Sequence, residues 1–355
     1  MLYNNLAIPE RQEVSELDME KLPQEIREHL TGDSVHDLEY LSQKVIETAD
    51  NRDLLEDLFT LITDHLSQSQ MLPLFEKYIE KSLEQIRSAY TNASHLRDIG
   101  LFEEALEEID GIVREIMPLN ELAQSSEYDI QSFNEPFEYD LYEMLEPSKK
   151  VRNTPLPCAC LLSLHGSLLL SLERVEEAIT SLALALTWNP VSHDASILLA
   201  EAYKMKNDMD MLYTLTIDRF RTAFSKVHMA ELYYNLGYYY GTLNRPEDSV
   251  ACFTLCNRYG GQEIAASALY QLGKKFRKTF QWANDAQIRT SAETCGYPLV
   301  PDDRIIRLAR MNATDSYWDG DNDHAIYYIR IALDLSGSPE DRSFLDRLTE
   351  DTVVM

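Results

Sequence analysis

The chain has 355 residues, 45% of them hydrophobic and 26% charged, enough apolar material for a packed core and too much for disorder. Its 12 glycines and 13 prolines are roughly half the average usage, which argues against a turn-rich β sandwich or a collagen-like chain. Of its 60 acids and 32 bases, 34 acids but only 12 bases lie in residues 1–150, a balance of −22 there against −6 in the rest. Phosphate binding needs clustered Lys and Arg, so nucleic acid is not an expected partner.

The N-terminal stretch MLYNNLAIPERQEV lacks the basic start and apolar run of a secretory signal. Residues 153–172 contain no Lys, Arg, Asp or Glu, but a helix can begin there only near Pro157. That leaves about 16 residues, short of the roughly 20 that a bilayer span requires, so a buried helix is expected and no membrane. Cys158, Cys160, Cys252, Cys256 and Cys295 are odd in number and match no usual zinc spacing. Free thiols in a reducing cytoplasm are the expectation, with no metal and no cofactor.

In chain order, nearly every segment has apolar residues three or four apart, the spacing of an amphipathic helix. Leu38, Leu41, Val45 and Ile46 line a first helix that Ser34 is placed to cap; Leu54, Leu55, Leu58, Phe59 and Ile62 line a second. Pro73 suits the first turn of a third, which carries Ile86, Ala89, Ala93 and Leu96 and stops before Gly100. Ala105, Ile109 and Ile112 continue the pattern to Pro118. Residues 119–157 are the least periodic part and read as an acidic, aromatic insertion or linker. Seven acids fall between Glu127 and Glu146, with no base until Lys149. No convincing strand is present, so the fold class is all-α. The expected divisions are an acidic helical region over 1–70 (a cap or degenerate repeat), a hairpin over 71–118, the insertion, an array over 158–340, and a C-terminal helix or tail over 341–355.

Within the array, residues 161–190 and 232–261 share a pattern at an offset of 71, two units of about 35. Gly166 and Gly237 let paired helices approach closely, Leu169 and Tyr240 fill the space beside them, and Ala178 and Ser249 keep the second helix tight. Pro190 closes one unit. This pattern resembles the tetratricopeptide repeat, whose unit is two antiparallel helices. Four further units match in part, at residues 89–118, 193–226, 266–299 and 306–339. Of these, 266–299 keeps Leu272, Gly273 and Phe276 ahead of a degraded second helix. The resemblance implies a right-handed α-solenoid that serves as a protein-interaction scaffold or adaptor.

Catalytic and nucleotide motifs are missing: there is no GxGxxG, GxxxxGK[ST], GxSxG or HExxH. The alternating acids Asp319, Asp321 and Asp323 imitate a calcium loop, but His324 takes the glycine position and Arg330 that of the bidentate glutamate. A polar turn is the better reading, and no enzyme is expected.

In the family, the first helices of the pairs line a concave groove for peptides. Carried onto this chain, the groove side takes Glu231, Tyr234 and Tyr238, then Tyr270, Lys274, Arg277 and Lys278, then Arg307, Arg310, Tyr317 and Trp318. Aromatics bring contact area and cations pair carboxylates, so an acidic, aromatic-bearing peptide is the expected ligand of this C-terminal groove. The family's clamp for a C-terminal carboxylate is not expected, because Leu164 and Leu198 stand where polar groups belong. The acidic front half offers a second surface, for a basic partner. An alternative role is a regulator or chaperone gated by residues 119–157. Segment 127–146 would then fold onto the basic groove, and its deletion would increase binding of acidic peptides.

Overall fold

The structure is a computed structural model that describes residues 68–125 and 129–353, together with His29, Asp37, Tyr40 and Lys44. Apart from those isolated positions, the two helices expected over residues 34–62 lie outside the described residues. From Gln68 onward, fourteen α-helices follow. The first pair is α1 (Gln68–Asp98) and α2 (Phe102–Ser125). Helix α1 begins ahead of Pro73, and α2 runs through position 118, where the sequence had suggested a stop.

Next come β1 (Asp129–Gln131), α3 (Pro136–Leu145) and β2 (Val151–Asn153). The remaining helices are α4 (Cys158–Ser171), α5 (Val175–Trp188), α6 (His193–Lys206), α7 (Met209–Arg219), α8 (Lys226–Thr242), α9 (Pro246–Arg258), α10 (Gln262–Phe276), α11 (Asp285–Cys295), α12 (Asp303–Trp318), α13 (Asn322–Ser336) and α14 (Pro339–Val353). Helices α1 and α2, α4 and α5, α8 and α9, and α12 and α13 form the closest pairs, and α4, α6, α8 and α10 touch in succession. This is an all-α solenoid of stacked helix pairs.

Small residues set the closeness of each pair. A Cβ built on Gly166 would lie 2.6 Å from Leu182 Cδ2, and one on Gly237 would lie 2.5 Å from Phe253 Cδ1. Ser249 Oγ then donates to the Gly237 carbonyl at 2.6 Å, tying α9 to α8 by a buried bond. Gly237→Ala should therefore cost about 1–3 kcal/mol through overpacking. Gly111→Ala, with open space around the new methyl, should instead add up to about 1 kcal/mol through helix propensity. Urea unfolding of both variants checks the contrast, and equal effects would refute it.

The insertion departs most from expectation. β1 and β2 pair in parallel, Ile130 opposite Arg152, with α3 as the crossover. Three residues per strand are too few to show a period-2 pattern, so the sequence could not reveal them. Glu138 accepts from the backbone N–H groups of Asn134 and Glu135 at the start of α3, and from Asn189 Nδ2 at 2.8 Å. At the other end of the array, Asp140 accepts from Asn312 Nδ2 and Tyr328 Oη, each at 2.8 Å, and Glu135 accepts from Tyr327 Oη. Burial raises the carboxyl pKa of both Glu138 and Asp140. Residues 129–146 thus dock on the array, but at the end of α5 and on α12 and α13; none of these polar contacts involves Lys274, Arg277 or Lys278.

Candidate interaction groove

The sequence-predicted groove residues lie in three settings. On α8, Glu231, Tyr234 and Tyr238 are half-buried on one face. Lys204 of α6 places its Nζ 4.6 Å from the ring centre of Tyr234 and 5.6 Å from that of Tyr238. Its side chain is almost wholly buried and pairs with Glu201. Sequence reasoning missed Lys204, which stands in a weakly matching unit and shows its role only once α6 and α8 pack side by side.

The second setting is α10, where the expected residues do come together. Tyr270 is 62% exposed, and Lys274 Nζ sits 4.4 Å from its ring centre. Arg277 ends the helix at φ +52°, a left-handed conformation that a non-glycine residue holds at a cost of about 1–2 kcal/mol. Lys278 Nζ lies 5.0 Å from the centre of the Phe280 ring and 3.6 Å from the Glu247 carboxylate. With Phe280 and Trp282 these side chains line an open groove of about 490 Å³. Phe280 and Trp282 were not legible as groove residues because they belong to a loop without periodicity. Trp282 is 41% exposed, so the groove has aromatic walls and a cationic rim.

The third setting is α12, and here most expected residues already have partners. Arg310 donates from Nε and Nη2 to the two carboxylate oxygens of Asp341 on α14, both at 2.8 Å. Arg307 pairs with Asp303, and Tyr317 meets Phe344 edge-on. Trp318 is 78% exposed, with its ring centre 5.6 Å from that of Tyr317. Arg310 is therefore a link between helices, a role hidden from the sequence because Asp341 is 31 residues away.

One polar cluster imitates catalytic geometry. His165 Nδ1 is 3.0 Å from Ser181 Oγ, and its Nε2 is 3.5 Å from Asp110 Oδ1. Ser181, however, has no exposed surface and donates its hydroxyl hydrogen to the Leu162 carbonyl. No substrate carbonyl reaches that oxygen, so the cluster joins α2, α4 and α5 structurally. The Asp321 turn likewise acts as a cap: Asp321 accepts from the backbone N–H of His324 at the start of α13. Among the described residues no group of three His, Cys, Asp or Glu is arranged to hold a metal ion, and no helix is long and apolar enough to cross a membrane.

Two stretches, residues 161–192 and 230–259, match the family model described as tetratricopeptide repeat. The chain contains tetratricopeptide repeats. The matched stretches cover the α4–α5 and α8–α9 pairs, the two closed over Gly166 and Gly237. Tetratricopeptide repeats generally mediate protein–protein interactions, and the family is typically non-enzymatic. No curated protein matches this chain closely enough to serve as a relative.

Proposed function

We propose that the protein is an interaction scaffold whose α10 groove holds an acidic, aromatic-bearing segment of a partner protein. The observation that supports this reading is the union of exposed Tyr270 and Trp282 with Lys274, Arg277 and Lys278 in one open groove. A flanking aromatic supplies buried area on binding, and each cation pairs a carboxylate where water is partly excluded. The reducing cytoplasm is the setting that suits its free thiols. A basic partner for the acidic N-terminal half is a separate, weaker expectation that rests on charge alone.

Charge reversal tests the groove. Lys274→Glu/Arg277→Glu should lower capture of the acidic partner at least about tenfold, because two favourable pairs become repulsive. Both side chains are exposed, so folding should be unchanged by circular dichroism. A set of captured partners identical to wild type would overturn the assignment. The gated alternative would require α3 to leave its place, and no observation favours it over the open groove.

A further inference from the structure

A cavity of about 700 Å³ lies where the first turn of α8, helix α13 and the residue before α3 meet, and it shares no lining residue with the α10 groove. Its apolar lining is continuous in kind: Phe224 and Ile331 are buried, and Ile326 is half-buried. Beside them Val227 is 65% exposed, so a ligand seated there would cover apolar surface that now faces water. Three carboxylates from different places complete the rim: Glu135 before α3, Asp323 in the first turn of α13, and Asp334 near its end. Against them the lining holds one guanidinium, Arg330, and Lys226 Nζ approaches Asp334 only to 3.8 Å.

The rim acids keep accepting capacity. Glu135 accepts from Tyr327 Oη, and Asp334 accepts from the Lys226 backbone N–H, but a carboxylate has about four acceptor sites. Asp323 has no side-chain hydrogen bond or ion pair with any described residue. His228 adds a donor to the lining. Its Nδ1 accepts the Phe224 backbone N–H at 3.3 Å, which leaves the proton of the neutral ring on Nε2. That N–H has no acceptor among the described residues, and a ligand oxygen would satisfy it.

We propose that this cavity is a docking site for a basic segment of a partner protein. An aliphatic residue of that segment covers Val227 and Ile326, and a neighbouring arginine or lysine meets Asp323 and Glu135. A main-chain carbonyl of the segment accepts from His228 Nε2. Charge decides the occupant: an acidic segment would face three carboxylates here, whereas a basic one forms charge-assisted bonds with oxygens that have room for them. The cavity and the cationic α10 groove then sort partners by sign, each repelling the ligand of the other. One scaffold could in this way hold a basic and an acidic partner together.

The test uses the full chain at about 0.15 M salt, where distant charges are screened, and a fluorescent octapeptide alternating leucine with arginine. Saturable binding is expected. Asp323→Lys should weaken it at least about tenfold, and Val227→Ser about fivefold. Both positions are exposed, so circular dichroism should be unchanged. Glu104→Lys, at an exposed position of α2, makes the same change in net charge and should leave binding within about twofold. Equal losses from Asp323→Lys and Glu104→Lys would mean that general acidity holds the peptide, and would overturn the site. No binding at millimolar peptide would overturn it too. Indifference to Val227→Ser, or competition by spermidine at the peptide's own affinity, would replace the protein segment with a small polycation. Asp323→Lys should leave capture of acidic partners at α10 unchanged, so either site can fail without the other.

Discussion

Stability should fall steeply as the pH drops from about 6.5 towards 4, because two buried histidines and a half-buried one are held in their neutral form. Burial pushes His228 and His165 down to about 4, and it lowers His193 well below its ordinary value. His193 and His228 stack with ring centres 3.7 Å apart in the first turns of α6 and α8, where the helix dipole also disfavours positive charge. Arg219 adds to the effect on His193. Asp110 lies near His165, but Arg114 pairs with that carboxylate and offsets its pull. The sign follows from the lowered folded-state values. Below about 6.5 the unfolded chain takes up protons that the folded chain refuses, so stability present at neutral pH is lost on acidification. A displacement from 6.5 to about 4 is worth about 3 kcal/mol per histidine. Glu138 and Asp140, whose raised values favour folding as the pH falls, act against the trend. Guanidinium titrations at several pH values read the slope directly. His193→Phe isolates one contribution cleanly, since neither ring nitrogen of His193 has a hydrogen-bond partner to lose. That variant should be at least as stable as wild type at pH 7 and should show a flatter acid limb. An unchanged limb would mean that His193 is protonated in the fold.

The repeats were legible because their signal is local. Gly166, Ala178, Gly237 and Ser249 recur within single helix pairs, and a fixed offset of 71 exposes them without any knowledge of the fold. The α10 stripe was legible for the same reason, since Tyr270, Lys274 and Arg277 are three and four apart. What escaped was non-local. Lys204 acquires its aromatic neighbours only when α6 packs beside α8, and Arg310 meets Asp341 only when α14 folds across α12. The character of segment 119–157 also escaped, though its composition was plain. Its acids are complementary in charge to the basic stripe, yet Glu135, Glu138 and Asp140 meet neutral donors of the array: Asn189, Asn312, Tyr327 and Tyr328. Charge counting registers cations and overlooks amides and phenols, which satisfy a carboxylate equally well when hydrogen-bonded.

Phe137→Ala should destabilise the protein by about 3–5 kcal/mol, more than any surface substitution in the segment that carries it. The Phe137 side chain is wholly buried, with ring centres 5.3 Å from Phe224 and 6.1 Å from Tyr328. Those partners belong to distant parts of the array, the turn before α8 and the last hairpin, so one aromatic ring holds together elements separated by about a hundred residues. Leu141 of α3 is buried in the same core. Removing the ring leaves a cavity that rigid helix packing cannot readily close, whereas Phe137→Leu fills much of it and should cost closer to 1 kcal/mol. The comparison decides between two roles for the acidic insertion. A gate that swings out of a groove would be held weakly, and loosening it would increase the binding of acidic peptides at little cost in stability. A structural strap would lose stability in proportion to the volume removed, and deletion of residues 127–146 would unfold the C-terminal hairpin while exposing no new site. Denaturation midpoints for the two Phe137 variants, measured beside peptide binding, separate these outcomes. A change in stability under about 0.5 kcal/mol with tighter binding would restore the gate. A graded loss without any gain in binding identifies α3 as the brace that fixes the position of the last hairpin against the rest of the array.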